Sequence, residues 1–346
     1  MKGRRRRIAV YLLTLAIVPR SLDAQPDGGP EGERPIVRLI ATGGTIANRE
    51  GGRLTAAELL ALVPDLDTYV EPEAEQFSNV SSGALTLTDY LGLSRRITKR
   101  FADEHDLQGI VVTAGTDTLE ELAYFLHLTV RSDHPVVVVG SMRRPGAPGY
   151  DGDANLLAAF RVAGDPASRG RGTVVVLGDE IYSARDVTKS DARRPDAFES
   201  AVGHLGIVDR DRVVYLRRDE KRHSTSSEFD VEDIDALPRV DVLLAYQDAP
   251  GDLVTAAVDR GARGLILGGI GAGSASGSQS DALADAVERG TVVVSTTRTG
   301  SGRVTSRARG RLAGEDLTPI KARVLLMLAL TLTDDPDRIQ RMFREY

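Results

Sequence analysis

From residue 36 onward, short runs of β-branched and aliphatic residues alternate with helical stretches, and this alternation narrows the fold more than any other feature. Residues 36–41, 109–113, 135–140 and 173–177 read as strands, the third almost wholly valine. Between them, residues 56–63, 88–100, 119–130 and 155–163 carry helical periodicity. Thr55 stands three residues before Glu58, the spacing of a capping box at the first of these helices. Strands apolar on both faces and joined by helices call for a parallel sheet covered on both sides. The expected class is α/β, with a larger N-terminal sheet, doubly wound and mostly parallel.

The character changes over residues 208–238, which are dense in Arg and Asp and then rich in Ser and Thr. This reads as a linker with one short strand near 213–216. Strands at 240–246, 264–268 and 291–296 and helices at 253–260, 280–288 and 319–332 then form a smaller C-terminal α/β domain. The expected organisation is an N-terminal domain over 35–207, a linker over 208–238 and a C-terminal domain over 239–346.

Ahead of the folded part, residues 1–7 are basic, residues 8–18 are apolar, and a polar stretch follows. That is the layout of a secretory signal peptide over 1–24, with cleavage after Ala24 and a flexible leader over 25–34. The apolar run is too short for a comfortable membrane span, so the expected location is periplasmic or secreted, without stable membrane insertion once the signal is removed. Residues 1–24 carry a net +5, leaving −11 on the rest of a chain whose total is −6. An acidic body argues against general nucleic-acid binding. The absence of Cys excludes disulfides, thiolate metal sites and a Cys nucleophile, and five scattered His do not suggest a metal centre.

Three short motifs carry the candidate chemistry. Thr42-Gly43-Gly44-Thr45-Ile46-Ala47 follows a strand directly, where adjacent glycines permit a tight turn and close approach of a ligand. A threonine hydroxyl there can bind a ligand or, relieved of its proton, attack a carbonyl. Thr113-Ala114-Gly115-Thr116-Asp117-Thr118 repeats the strand–turn–helix layout; Thr and Asp at that point also suit a helix cap. Arg185-Asp186-Val187-Thr188-Lys189 uses one of only five lysines in a chain with 44 basic residues. Lysine, unlike arginine, can give up its proton, although a surface ion pair would explain it equally. Ser81-Ser82-Gly83 is a fourth polar segment ahead of a helix. The run Gly268-Gly269-Ile270-Gly271-Ala272-Gly273 lacks the G-x-G-x-x-G spacing of a dinucleotide site.

Taken together, residues 42–47, 115–126, 185–189 and 321–330 resemble, in order, segments of the bacterial-type L-asparaginase/glutaminase family, over residues 35–346. The resemblance implies hydrolysis of the side-chain amide of asparagine or glutamine, with water as co-substrate and no metal or cofactor. It also implies a homo-oligomer, a dimer of dimers. By motif, Thr45 would be the nucleophile, and Thr116, Asp117 and Lys189 the second catalytic group. Ser82 and Asp117 would hold the substrate's α-carboxylate and α-amino groups. Gly44, Ala114 and Gly115 would line the site, with backbone N–H groups near Ala114 and Thr116 facing a developing oxyanion.

Four positions depart from the pattern. Ala114 stands where the family has His, and residues 48–54 lack the Tyr expected to activate the nucleophile. Ala272 to Ala275 offer no Asn toward a neighbouring site. Residues 298–311 are basic where asparagine-specific members carry an acidic residue. Were that segment to reach the site, it would favour an additional anionic group on the substrate. The alternative reading is a catalytically weak relative that binds an amino acid or anion.

Overall fold

The computed structural model describes residues 34–346, so the signal-peptide reading and nearly all of the leader lie outside the described residues. The N-terminal part runs β1 (Ile36–Gly43), a small hairpin of β2 (Asn48–Arg49) and β3 (Gly52–Arg53), α1 (Ala56–Leu60) and β4 (Glu71–Val80). It continues through α2 (Leu87–Asp103), β5 (Leu107–Thr113), α3 (Leu119–Thr129), β6 (Val136–Val139), α4 (Gly152–Gly164) and β7 (Thr173–Leu177). Then come β8 (Glu180–Ser183), a hairpin of β9 (Val187–Lys189) and β10 (Phe198–Ser200), β11 (Gly206–Val208) and β12 (Val213–Tyr215). The C-terminal part is β13 (Val240–Leu244), α5 (Asp252–Asp259), β14 (Gly264–Gly269), α6 (Gly277–Glu288), β15 (Val292–Thr297), β16 (Leu312–Ala313), α7 (Pro319–Leu332) and α8 (Pro336–Glu345).

The large sheet has eight strands in the order β12-β11-β8-β7-β6-β5-β1-β4. The five strands from β4 to β7 are parallel to their neighbours, and β8, β11 and β12 add antiparallel pairs. The reversal comes at the β7–β8 turn, where Gly178 and Asp179 both adopt positive φ, 60° and 64°, as a tight hairpin requires. Alternation along each strand feeds two cores. Ile40, Ile110 and Val112 pack toward α2, α3 and α7, whereas Val37, Leu39, Ala41 and Val111 pack toward α1 and α4. The second sheet is parallel, in the order β13-β14-β15-β16. Residues of α7 share one core with residues of both sheets, which joins the two parts.

The α/β class and the larger, mostly parallel N-terminal sheet agree with the sequence reading. Three features differ from it. First, α1 ends at Leu60 rather than 63, because Pro64 disfavours helical backbone at the residue before it. The Thr55–Glu58 capping box is formed at its start. Second, β4 had no apolar signature, since it is an edge strand of sequence EPEAEQFSNV. Charge on an edge guards against unwanted pairing; here Glu73 and Glu75 instead meet Arg38, Arg96 and Arg100. Third, residues 208–238 are not free of the domain before them. The one short strand expected there forms as β12 and pairs with β11, and the segment also buries Phe229 and Val231 in the main core.

Candidate active site

The Thr42–Ala47 turn emerges between the ends of β4 and β5. Thr42 Oγ1 donates to the Thr113 carbonyl at 2.6 Å, and Ser78 Oγ donates to the Thr42 carbonyl at 2.9 Å, pinning three strand ends together. Gly43 and Gly44 follow at φ 112° and 86°, conformations that side chains with a Cβ rarely adopt. Space requires glycine as well: a Cβ on Gly44 would stand 2.5 Å from the Gly115 nitrogen. Thr45 then opens a single 3-10 turn and is half-buried. The Tyr150 hydroxyl donates to the Ile46 carbonyl at 3.1 Å and the Arg53 guanidinium to the Gly44 carbonyl at 3.2 Å. The Thr45 hydroxyl makes no hydrogen bond among the described residues.

The second turn lies against the first. A Cβ on Gly115 would fall 2.5 Å from Ser82 Cβ and 2.8 Å from its Oγ, so Gly44, Gly115 and Ser82 form one stack. Thr116 is buried and Asp117 is exposed at the start of the turn into α3. Ala114 sits behind them, 2% exposed, and its N–H donates to the Val139 carbonyl at 2.8 Å. That donor is spent on the sheet, so among the N–H groups near Ala114 and Thr116 the one on Ala114 itself is already paired. The N–H groups of Gly115 and Thr116 take no acceptor among the described residues.

Lys189 arrives on β9, which pairs with β10. Its Nζ donates to Thr116 Oγ1 at 3.0 Å and to Asp117 Oδ1 at 2.6 Å. Of the ion pair, the lysine side chain is 13% exposed and the aspartate 78%. The pair therefore has one shielded end and one end open to an incoming ligand. Glu120, in the first turn of α3, accepts from the Lys189 N–H and the Thr188 hydroxyl, both at 3.2 Å. Upstream, the nearly buried Arg185 binds both oxygens of Asp316, at 2.8 and 3.1 Å, and reaches the Tyr346 carbonyl.

The structure therefore brings Thr116, Asp117 and Lys189 into direct hydrogen bonding and packs Gly44, Gly115 and Ser82 beside Thr45. The sequence reading gave no role to Glu120, Arg53, Tyr150 or Lys321. Lys321 left one signal: it is a lone lysine in the apolar run that becomes α7.

The basic segment 298–311 does not present a free cationic surface. Arg303 pairs with Glu315, Arg307 with Asp337 and Arg309 with Asp281, at 2.5, 2.8 and 2.8 Å. Arg298 donates to the Ala245 carbonyl at 2.9 Å. None of these arginines contacts Thr45, Thr116, Asp117 or Lys189 among the described residues. The expected preference for an anionic substrate therefore lacks its physical basis within one chain. No group of His, Asp and Glu able to hold a metal ion occurs among the described residues. No helix among them is long and apolar enough to cross a membrane.

Comparison with known proteins bears on this arrangement. The family described as Asparaginase, N-terminal matches residues 36–221, and the Glutaminase/Asparaginase C-terminal domain matches residues 239–343. The chain belongs to the asparaginase/glutaminase family. It is an amidohydrolase of the asparaginase type. The L-asparaginase 2 of Bacillus subtilis strain 168 is 42% identical over 327 residues, covering 90% of this chain and 87% of that protein. The glutaminase-asparaginase of Pseudomonas fluorescens biotype A is 38% identical over 327 residues, covering 90% of each. The crystal structure of a probable cytoplasmic L-asparaginase from Campylobacter jejuni superposes with a TM-score of 0.87 at 37% identity, over 90% of this asparaginase-family chain and 100% of that one.

Proposed function

We propose that this protein hydrolyses the side-chain amide of L-asparagine or L-glutamine through an acyl-enzyme on Thr45. The observation that carries the reading is the contact of Lys189 Nζ with both Thr116 Oγ1 and Asp117 Oδ1, at 3.0 and 2.6 Å, beside the Gly44–Gly115–Ser82 stack. In the first step Thr45 Oγ attacks the carboxamide carbon and loses its proton to a base. The C–N bond breaks, and the nitrogen leaves as ammonia after gaining a proton. In the second step water, deprotonated by the Thr116–Lys189–Asp117 group, attacks the ester and releases the acid and the threonine hydroxyl. Developing negative charge on the carbonyl oxygen would be met by N–H groups at Gly115 and Thr116. Asp117, exposed and acidic, suits the substrate's ammonium group, and Ser82 suits its carboxylate.

The glutaminase-asparaginase relative favours a dual substrate range, and the L-asparaginase relative favours the shorter amide. The basic and apolar layout of residues 1–24 supports export to the periplasm or medium. The Campylobacter relative is described as probable cytoplasmic, so membership of the family leaves the compartment to that leader. Assembly into a homo-oligomer is part of the same proposal.

Ammonia release from asparagine and glutamine by residues 25–346, with Thr45→Ala as control, tests the reading. Release that vanishes in the control supports it. No release above the control favours the second reading, a binding protein without turnover. That second reading draws on one observation: the β2–β3 hairpin beside Thr45 presents Arg49 and Arg53 and no tyrosine.

A further inference from the structure

Lys321 is among the largest fully buried side chains of the protein, 1% exposed, although it ends in an ammonium group. It sits in the first turn of α7, whose N-cap Thr318 opens the helix in the C-terminal part. Its Nζ donates to the Arg185 carbonyl at 2.7 Å and to the Val187 carbonyl. Those carbonyls lie four and two residues before Lys189. Burying an ammonium group is costly unless its hydrogen bonds and neighbouring charges compensate. The charged groups facing it are Glu120 from α3, Asp186 and Arg185 from the β8–β9 connection, and Asp219 from the segment after β12. Burial pushes the ammonium down to about 8, against the opposing pull of Glu120 and Asp186.

The strand carrying Lys189 pairs along one edge with β10, and its other edge is held by side chains. Glu120 holds Lys189 and Thr188 from one side, and the Arg185–Asp316 pair holds its upstream end. Between them, two backbone carbonyls would be buried without donors if Lys321 were absent. The carbonyls of an extended segment fix the path of its backbone, and the path fixes where the next side chain emerges.

We propose that Lys321 is a positioning residue for Lys189, through which the C-terminal domain sets the geometry of the Thr116–Asp117–Lys189 group. This rests on the hydrolase reading for its kinetic test. The role is separable from substrate binding, because Lys321 has no contact with Gly44, Thr45, Ser82 or Asp117 among the described residues. Misplacing a catalytic group by about 1 Å costs on the order of 10²-fold in rate, so the effect should fall on kcat.

The experiment compares wild type, Lys321→Met and Lys321→Gln in kcat and KM for ammonia release, scaled to the folded fraction from thermal unfolding. It also includes a crystal structure of Lys321→Gln. Lys321→Met, which removes both donors, is expected to lower kcat about 10–100-fold with KM changed less than about threefold. Lys321→Gln restores donors without the charge and is expected to recover part of that loss. In its structure the 185–189 backbone is expected to shift and the Lys189 Nζ–Asp117 contact to lengthen. Wild-type kcat in folded Lys321→Met overturns the proposal. If Lys321→Met does not fold, Lys321→Gln carries the test: a 185–189 segment that stays in place, with Lys189 still on Thr116 and Asp117, although the Arg185 and Val187 carbonyls take no hydrogen bond from position 321, overturns the proposal, whereas a segment that shifts, or that stays only where the glutamine amide donates to those carbonyls, supports it. A wild-type protein that releases no ammonia sinks the hydrolase reading instead, and the Lys321→Gln structure then decides the positioning role alone.

Discussion

Lys189 Nζ lies 2.6 Å from Asp117 Oδ1 across a sequence separation of 72 residues, and the same nitrogen reaches Thr116 Oγ1 at 3.0 Å. A β-turn, a helix start and an antiparallel hairpin must all be in place for this contact to form. The lysine is nearly enclosed while its partner is open to solvent, so the pair faces outward with a fixed inner end.

Removing that lysine nitrogen should disable proton transfer and leave the fold intact. Lys189→Met is expected to reduce kcat for ammonia release about 10²–10⁴-fold, the span for losing a positioned acid–base group. Thr45→Ala is expected to be at least as damaging, because no acyl-enzyme can form. Steady-state kinetics with circular dichroism as the folding check would measure both. A Lys189→Met enzyme within threefold of wild type contradicts the assignment.

The Gly44–Gly115–Ser82 stack predicts a steric effect. A methyl group on Gly115 would stand 2.5 Å from Ser82 Cβ, closer than packed atoms tolerate. Gly115→Ala is expected to cost about 1–3 kcal/mol of stability and to raise KM by displacing Ser82. Denaturant unfolding and substrate titration report the two effects separately.

Arg185 is nearly buried, and its guanidinium is shared between Asp316 and Asp186 at 2.8 and 3.0 Å. Asp316→Ala strands much of that charge. Because Asp186 remains and Asp316 is partly exposed, the expected loss is about 2–3 kcal/mol, at or below the lower end for breaking a buried pair. A midpoint of urea unfolding equal to wild type would refute it.

Acid sensitivity should trace to His127. The ring is fully enclosed, its Nδ1 lies 3.1 Å from the Thr173 carbonyl, and the His223 ring lies tilted against it with centroids 4.7 Å apart. Burial, reinforced by His223 and opposed by Asp219, pushes His127 down to about 3. The folded state thus binds fewer protons than the unfolded chain below the ordinary value of 6.5. Stability contributed by the neutral ring is present above 6.5 and is lost as pH falls toward about 3. The slope approaches about 1.4 kcal/mol per pH unit for one such residue. Thermal unfolding between pH 7 and pH 4 should show the decline, and His127→Gln should flatten it.

The sequence reading and the structure part company for identifiable reasons. Strands such as Val136–Val139 and Thr173–Leu177 were legible because both faces are buried and β-branched residues fill them. β4 was not, because only its neighbour β1 makes a strand of its charged residues. That the Ala114 N–H belongs to the β5–β6 ladder is something the motif alone does not reveal. The arginines of 298–311 looked like a basic patch in one dimension. In three dimensions each of Arg303, Arg307 and Arg309 finds a carboxylate 12 to 30 residues away.

By itself, then, the sequence determined the local order: which runs become strands or helices, where glycines permit turns, and which hydroxyls, carboxylate and lysine stand at the strand ends. These follow from side-chain periodicity and backbone sterics, which act over a few residues. Only the tertiary structure decided which of those groups meet and what holds them. Lys321 reaching the carbonyls of Arg185 and Val187, and Glu120 holding Lys189, depend on hydrogen bonds that span 68 to 136 residues. Such pairings are set by how sheets and helices pack, and a buried ammonium reveals its partners only once the surrounding water has been excluded.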